Sequence, residues 1–183
     1  MKELKGNTVT RILVSLMLVI VMVQSCSKDL PEPYNPVLQL EIDLKLIDAY
    51  VAANNLTVEI EPNSKMRYII NEDGNDIEAA SGDTVYVNYE LSLLDGTFVD
   101  TSDEQKARDN NIFNENRNYV PFGFIIGRGM VIPGFEIGTL LLEEEGAGTF
   151  IIPSVYGYAN SASGIIPANS NLIFKIAITT INK

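Results

Sequence analysis

Residues 84–100, TVYVNYELSLLDGTFVD, decide the fold. Val85, Val87, Tyr89, Leu91 and Leu93 alternate with Tyr86, Asn88, Glu90 and Ser92, the period of two that gives a strand one apolar and one polar face. Asp95-Gly96 follows, a dipeptide suited to a tight reversal, and Thr97 to Asp100 leads away as a second strand. The stretch predicts an antiparallel pair with one face buried.

Toward the C-terminus, residues 101–120, TSDEQKARDNNIFNENRNYV, are dense in Asn, Asp and Glu, with isolated Ile112, Phe113 and Tyr119. They predict a long loop with room for a helical turn. Phe122 to Ile126 predicts a short strand. Pro133 stands at the first position of a helix expected to run to about Glu145, with Gly146 as its stop and Glu143-Glu144-Glu145 as a solvated face. Thr149 to Ile152 and Leu172 to Ile181 predict two more strands, the last so continuously apolar that it suits a central position.

Toward the N-terminus, Gly82-Asp83 and Asp73-Gly74 supply turns, and Met66 to Asn71 and Thr57 to Glu61 read as short strands. Residues 38–46 carry two patterns. Leu38, Leu40, Ile42, Leu44 and Leu46 alternate like a strand, while Leu40, Leu44, Ile47 and Val51 recur at helical spacing. The intervening Gln, Glu, Asp and Lys form strands poorly, and Asn35-Pro36 reads as an N-cap followed by proline. A helix over 37–53, ending at Asn54-Asn55, is therefore expected. Many strands around one short helix give an α+β class.

Composition removes several kinds of chemistry. The 183 residues suit one main core plus an extension. Lys+Arg 13 against Asp+Glu 24 gives a net charge of -11, which repels phosphate backbones, so no nucleic acid is expected as a partner. The chain has no histidine, which excludes His-ligated metals and Ser-His or Cys-His catalysis. Its one cysteine, Cys26, excludes an internal disulfide.

The first residues read as an address. Lys2, Lys5 and Arg11 precede an uncharged run from Ile12 to Val23, which as a helix would reach only ~18 Å, short of a ~30 Å hydrocarbon core. A signal peptide over residues 1–25 fits better than a membrane span. Val23-Gln24-Ser25-Cys26 resembles a bacterial lipobox, with Gln24 where most lipoboxes have a small residue; a plain secretory signal is the alternative. On the lipobox reading Cys26 carries a lipid anchor, and residues 26–36, polar and proline-rich, form a tether that holds the protein to the bacterial cell envelope outside the cytoplasm, at the outer membrane. Loss of residues 1–25 removes three cations, Lys2, Lys5 and Arg11, and one anion, Glu3, so the net charge of -11 becomes −13. Such a chain stands off an anionic surface.

Three stretches carry a family likeness: VNYELSLLDGTFVDTS (87–102), PFGFIIGRGMVIPGFEIG (121–138) and YGYANSASGIIPANSNLIF (156–174). Their order resembles the FKBP family of peptidyl-prolyl cis/trans isomerases. The resemblance implies an α+β domain over residues 76–183, a half-open antiparallel β-sheet wrapped on one short α-helix, with residues 37–75 as an N-terminal helical extension. It also implies a pocket. Tyr89 and Phe174 would form its walls, Phe122 its mouth and Phe135 its floor, flanked by Val131 and Ile132, whose backbone N–H would meet a substrate carbonyl. Tyr158 would supply a rim hydroxyl, Ile165 and Ile166 an overhanging loop, and Asp100 a pocket carboxylate.

Four departures from the family pattern border that pocket. Phe135 stands where the family has tryptophan, and Val99 where it has phenylalanine, with Phe98 one place earlier on the other strand face unless a bulge intervenes. The loop from Asp100 to Pro121 is longer, and that from Tyr158 to Gly164 one residue shorter.

The implied reaction, rotation of an X-Pro bond, breaks no covalent bond and needs neither metal nor cofactor. A chain without histidine can perform it on proline-containing polypeptides. Three readings stay open on sequence: an active isomerase for exported proteins, a peptide-binding or chaperone module that keeps the bowl, and a docking lipoprotein. Taken singly, Phe122, Phe135 and Phe174 also suit a core and Asp100 a turn. The helix at 37–53 suits either a strap on the sheet or a homodimer interface.

Overall fold

The computed structural model describes residues 33–183. Cys26, the expected signal peptide and most of the tether lie outside the described residues.

Helix α1 spans Pro36–Ala53. Asn35 is extended, and its side-chain oxygen accepts from the N–H groups of Val37 (3.0 Å) and Leu38 (3.3 Å), satisfying two of the four donors a helix start leaves unpaired. Helical spacing prevails over alternation because the element buries a stripe. Asp43 and Ile47 are enclosed, whereas Val37, Leu38, Ile42 and Leu46 remain exposed. Asn55 ends the helix in the left-handed region, at φ 52°.

The sheet has the order β1-β2-β6-β7-β3-β4, with β5 also on β3, and every pairing is antiparallel. Its strands are β1 (Glu59–Ile60), β2 (Arg67–Glu72), β3 (Thr84–Leu93), β4 (Phe98–Thr101), β5 (Phe122–Ile125), β6 (Ala147–Ile152) and β7 (Leu172–Asn182). Strand β3 has the predicted limits, and β7 takes the central position its apolar run requires. Between β4 and β5 the loop holds a six-residue helix, α2 (Glu104–Asp109), whose N-cap Asp103 accepts from Lys106 N at 2.9 Å.

The inner face of the sheet packs on helix α3 (Pro133–Leu140) through Val85, Val87, Phe124, Phe150, Ile152, Phe174 and Ile176. The outer face is covered at one end by α1, where Ile47 meets Ile151 and Ile173. The sheet thus lies between two helices.

Three sequence expectations need correction. Helix α3 ends at Leu140, not near Glu145. Glu143 pairs with Glu78 as an isolated bridge, Glu144 N donates to Ile77 O (2.8 Å), and Glu145 N donates to Ile178 O (3.1 Å). These partners are distant in sequence, and bonding to them replaces further helical turns. The three glutamates are accordingly not a passive solvated face: Glu144 accepts from Ile181 N at 2.7 Å, a bond that holds its carboxyl below the usual range. Asp73-Gly74, read as a turn, lies instead against this segment. A Cβ on Gly74 would come within 2.3 Å of the Glu143 Cβ, so close approach is what requires glycine there.

The same constraint sets the height of α3 above the sheet. A Cβ on Gly134 would fall 2.2 Å from Ile152 Cγ2 and 3.1 Å from Tyr156 O. Gly134→Ala is expected to lift the helix start from β6 and destabilise the protein by roughly 1–3 kcal/mol, the usual cost of overpacking. Urea unfolding with an unchanged m-value would measure it; a midpoint equal to wild type would show that Ile152 yields freely.

Candidate functional site

The inner face of the sheet and the start of α3 enclose an open cavity of about 400 Å³. It is lined by Tyr89, Asp100, Phe122, Val131, Ile132, Phe135, Tyr158 and Phe174, together with Leu91 and Met130. Each position follows from the register. Tyr89 and Leu91 lie on the inward face of β3; Phe174 on β7 is the partner of Leu91, and Phe122 on β5 the partner of Val87. Phe135 sits in the first turn of α3, which Pro133 starts.

Four aromatic rings meet by their edges. Phe135 crosses Phe174 at 4.9 Å and 77°, Tyr89 crosses Phe135 at 5.9 Å and 89°, and Tyr89 crosses Phe122 at 6.3 Å and 78°. Edge-to-face contact is the arrangement the ring quadrupoles favour, and it fixes a concave apolar surface. At the floor, Ile132 is the N-cap of α3, and its carbonyl accepts from Phe135 N (3.1 Å) and Glu136 N (3.2 Å).

A polar triad occupies one wall. Tyr89 OH donates to Asp100 Oδ2 at 2.6 Å, and Arg117 Nη2 donates to Tyr89 OH at 3.0 Å. The Arg117 guanidinium also bonds Asp100 Oδ1, which takes Thr101 N at 2.8 Å. Burial, and then the Asp100 carboxylate, push the Tyr89 phenol up to about 12, with Arg117 opposing the rise. Burial works against the Arg117 charge, yet its bonds to Asp100 and Tyr89 leave its pKa raised. Tyr89 is therefore a neutral donor throughout the physiological range.

Arg117 escaped the sequence reading because it lies 17 residues from Asp100 in a loop without periodicity. Stacking holds it there: Phe113 lies on Tyr119 at 5.7 Å and 15°, Arg108 sits 3.4 Å over Phe113, and Arg117 sits 5.1 Å over Tyr119. The isolated aromatics of the loop were the available signal. Leu91 was legible as the next inward residue after Tyr89.

Three residues expected at the pocket do not line it. Ile166 is buried in the main core, and Ile165 is 61% exposed. Val99 packs on the core edge as the extra residue of a bulge, since Leu91 pairs with Asp100 while Ser92 pairs with Phe98. Partners across an antiparallel pair share a face, so the bulge turns Asp100 inward with Leu91 and Phe98 outward with Ser92.

A larger groove, about 690 Å³, runs between the long loop and the polar side of the sheet. There Glu90 is bonded by Lys106 and, at 3.3 Å, by Lys175. Glu90 is thus already paired, and the groove has no cluster of aromatic walls. Among the described residues no three His, Cys, Asp or Glu side chains are placed to hold a metal ion.

Residues 75–179 match the sequence profile of the FKBP-type peptidyl-prolyl cis-trans isomerase family. A short-type peptidyl-prolyl cis-trans isomerase of Methanocaldococcus jannaschii is 43% identical over 77 residues, which is 42% of this chain and 48% of that protein. FK506-binding protein 1 of Aspergillus oryzae is 34% identical over 105 residues, 56% of this chain and 86% of that protein. A peptidyl-prolyl cis-trans isomerase of Saccharomyces cerevisiae is 37% identical over 75 residues but is matched over only 18% of its length. The chain thus spans less than half of two of these relatives. The crystal structure of FkpA from Escherichia coli superimposes with a TM-score of 0.60 and 22% identity, over 97% of this chain and 74% of that one. At that identity the likeness is one of fold.

The wall triad makes a titration prediction. A phenol raised from its ordinary 10 to about 12 favours folding in its protonated form, so its contribution is whole below pH 10 and is lost as pH rises toward 12. Burial also raises Tyr34, and a bond to Glu59 raises Tyr68, but the latest tyrosine step in alkaline absorbance should be the one absent in Tyr89→Phe. Because Arg117 opposes the rise, Arg117→Ala should move that step higher still. A downward move would contradict the geometry.

Proposed function

This chain belongs to the FKBP-type peptidyl-prolyl cis-trans isomerase family, and on that footing we propose that its aromatic bowl rotates X-Pro bonds in polypeptides. The observation that carries the reading is the convergence of Tyr89, Phe122, Phe135 and Phe174 on one cavity, with the helix-start residue Ile132 at its floor. The barrier to rotation, roughly 18–20 kcal/mol, is the loss of amide resonance. A planar amide is more polar than a twisted one, so an apolar bowl that strips water from it disfavours the ground state more than the transition state. The Ile132 N–H and the Tyr158 hydroxyl are the donors that hold the substrate carbonyl as the bond turns. Asp100 acts through its charge and by fixing Tyr89; no proton is transferred. A thousandfold acceleration needs about 4 kcal/mol of differential stabilisation, within reach of partial desolvation and two oriented hydrogen bonds.

The test is cis/trans relaxation of a proline tetrapeptide. The protein should accelerate it, Phe135→Ala should lower kcat/KM by about tenfold or more, and Tyr158→Phe by a few fold, roughly 1 kcal/mol. An unchanged relaxation rate with wild-type protein overturns the proposal. A second reading, a peptide-holding module with little catalysis, is favoured by the outward turn of Phe98 at the bulge. It requires that aggregation of a proline-free client be suppressed as well as that of a proline-rich one.

The proposal extends to place and assembly. Cys26 carries a lipid that holds the protein to the cell envelope, outside the cytoplasm at the outer membrane, with exported polypeptides as clients; the support is the apolar run that ends at the chain's single cysteine. The exposed Val37, Leu38, Ile42 and Leu46 of α1 offer a second copy an apolar surface. Labelled palmitate should enter the wild-type protein but not Cys26→Ser. The latter, free of membranes, should sediment as a dimer that Ile42→Glu makes monomeric. Label in Cys26→Ser, or a monomeric Cys26→Ser protein, removes the corresponding part.

A further inference from the structure

The N-terminal helix reaches the bowl from the far side of the sheet through one buried carboxylate. Asp43 on α1 is fully buried, as is Ser154, the first residue of the 3₁₀ turn Ser154–Tyr156 that follows β6. Ser154 Oγ donates to Asp43 Oδ2 at 2.6 Å, and Gln39 Nε2 donates to Asp43 Oδ1 at 2.8 Å. A buried carboxylate is costly unless bonded in this way, so a surface helix gains nothing from one without a specific partner.

Ser154 is a hub. Its N–H donates to the buried Asn171 side chain at 3.1 Å, and its carbonyl accepts from both Gly157 N (2.9 Å) and Ala159 N (2.8 Å). Those two amides bracket Tyr158, which lines the bowl. Ala159 is left-handed, at φ 51°, and its carbonyl accepts from Asn169 N at 2.7 Å, which joins the return limb of the loop to the same hub. Tyr158 therefore stands on a turn fixed at Ser154, and α1 holds Ser154 in place.

We propose that Asp43 is a positioning residue for the bowl: through Ser154 it fixes the 154–159 turn and with it the place of Tyr158 at the rim. The inference rests on the bowl being the working site, but it makes a structural claim that can be read without activity. The N-terminal helix is on this account part of the site's framework. A helix displaced from the sheet would loosen the rim before it unfolded the core.

The experiment is amide hydrogen exchange on the full chain, followed by peptide kinetics. Asp43→Ala should speed exchange at Gly157 and Ala159 by about tenfold or more, with Phe124 and Ile176 in the core unchanged. Asp43→Asn, whose side-chain oxygen can still accept from Ser154, should stay within about threefold of wild type. Because Asp43→Ala strands a buried hydroxyl, Asp43→Ala/Ser154→Ala is the control. It leaves neither partner unpaired, should fold, and should keep the loosened rim. In kinetics Asp43→Ala and Tyr158→Phe should be non-additive, the double variant losing no more kcat/KM than the worse single one. Unchanged exchange at Gly157 and Ala159 in the double alanine variant, or fully additive kinetic losses, overturns the proposal. An inactive wild type would sink the isomerase reading alone, and the exchange result would still decide the role of Asp43.

Discussion

Strand β3 is the constraint on which the site depends. Its whole length pairs with β7, while its other edge is shared, the first half by β5 and the second by β4. Three walls of the bowl are thereby registered against one strand: Phe122 through Val87, and both Asp100 and Phe174 through Leu91. A slip of one residue in β3 would move Tyr89 and Leu91 to the polar face and dismantle the cavity. The alternation of Val85, Val87, Tyr89, Leu91 and Leu93 is what forbids that slip, because it would expose the most enclosed side chains of the core.

That dependence explains what was legible in the sequence. Elements whose shape is dictated locally could be read from their own residues: β3 from its alternation, α1 from its capping asparagine and buried stripe, the start of α3 from Pro133. Eight of the residues expected at the pocket meet there: Tyr89, Asp100, Phe122 and Phe174 on strands, and Val131, Ile132, Phe135 and Tyr158 at the start of α3 or in the turn after β6, all within the three stretches that carry the family likeness. The end of α3 could not be read this way. Nothing within residues 133–146 announces that Glu143, Glu144 and Glu145 will bond to Glu78, Ile77 and Ile178, and local propensity favoured continuing the helix.

The bulge in β4 and the position of Arg117 belong to the same class. Two apart on a regular strand, Phe98 and Asp100 would share a face; the extra residue Val99 separates them, so that only one of the two faces inward. The fold resolves the choice in favour of the carboxylate because Asp100 gains three donors, Tyr89 OH, Thr101 N and Arg117, that Phe98 could not use. Turning Phe98 outward thins the wall at that point and leaves the triad to close it. The long loop is thus part of the site: it carries, on a stack of Phe113 and Tyr119, the cation that stabilises an otherwise unfavourable inward charge.

Past Pro153, the segment from Ser154 to Asn171 connects the two central strands, β6 and β7, and crosses from one face of the sheet to the other in doing so. Its first residue, Ser154, faces α1 on the outer side, and Tyr158 faces the bowl on the inner side. Rigidity at Ser154 is therefore felt at Tyr158 through four residues of chain, not through the whole core. The sheet itself is too well paired to bend at this point, since Ile152 and Leu172 are direct partners in the β6–β7 ladder. Freedom in the rim must come from the connection, and the connection is bonded at its first residue and its last, to Asp43 and through Asn171. The outer helix and the inner pocket are thus coupled by short covalent and hydrogen-bonded paths, which is why the extension's buried carboxylate bears on a tyrosine it does not touch.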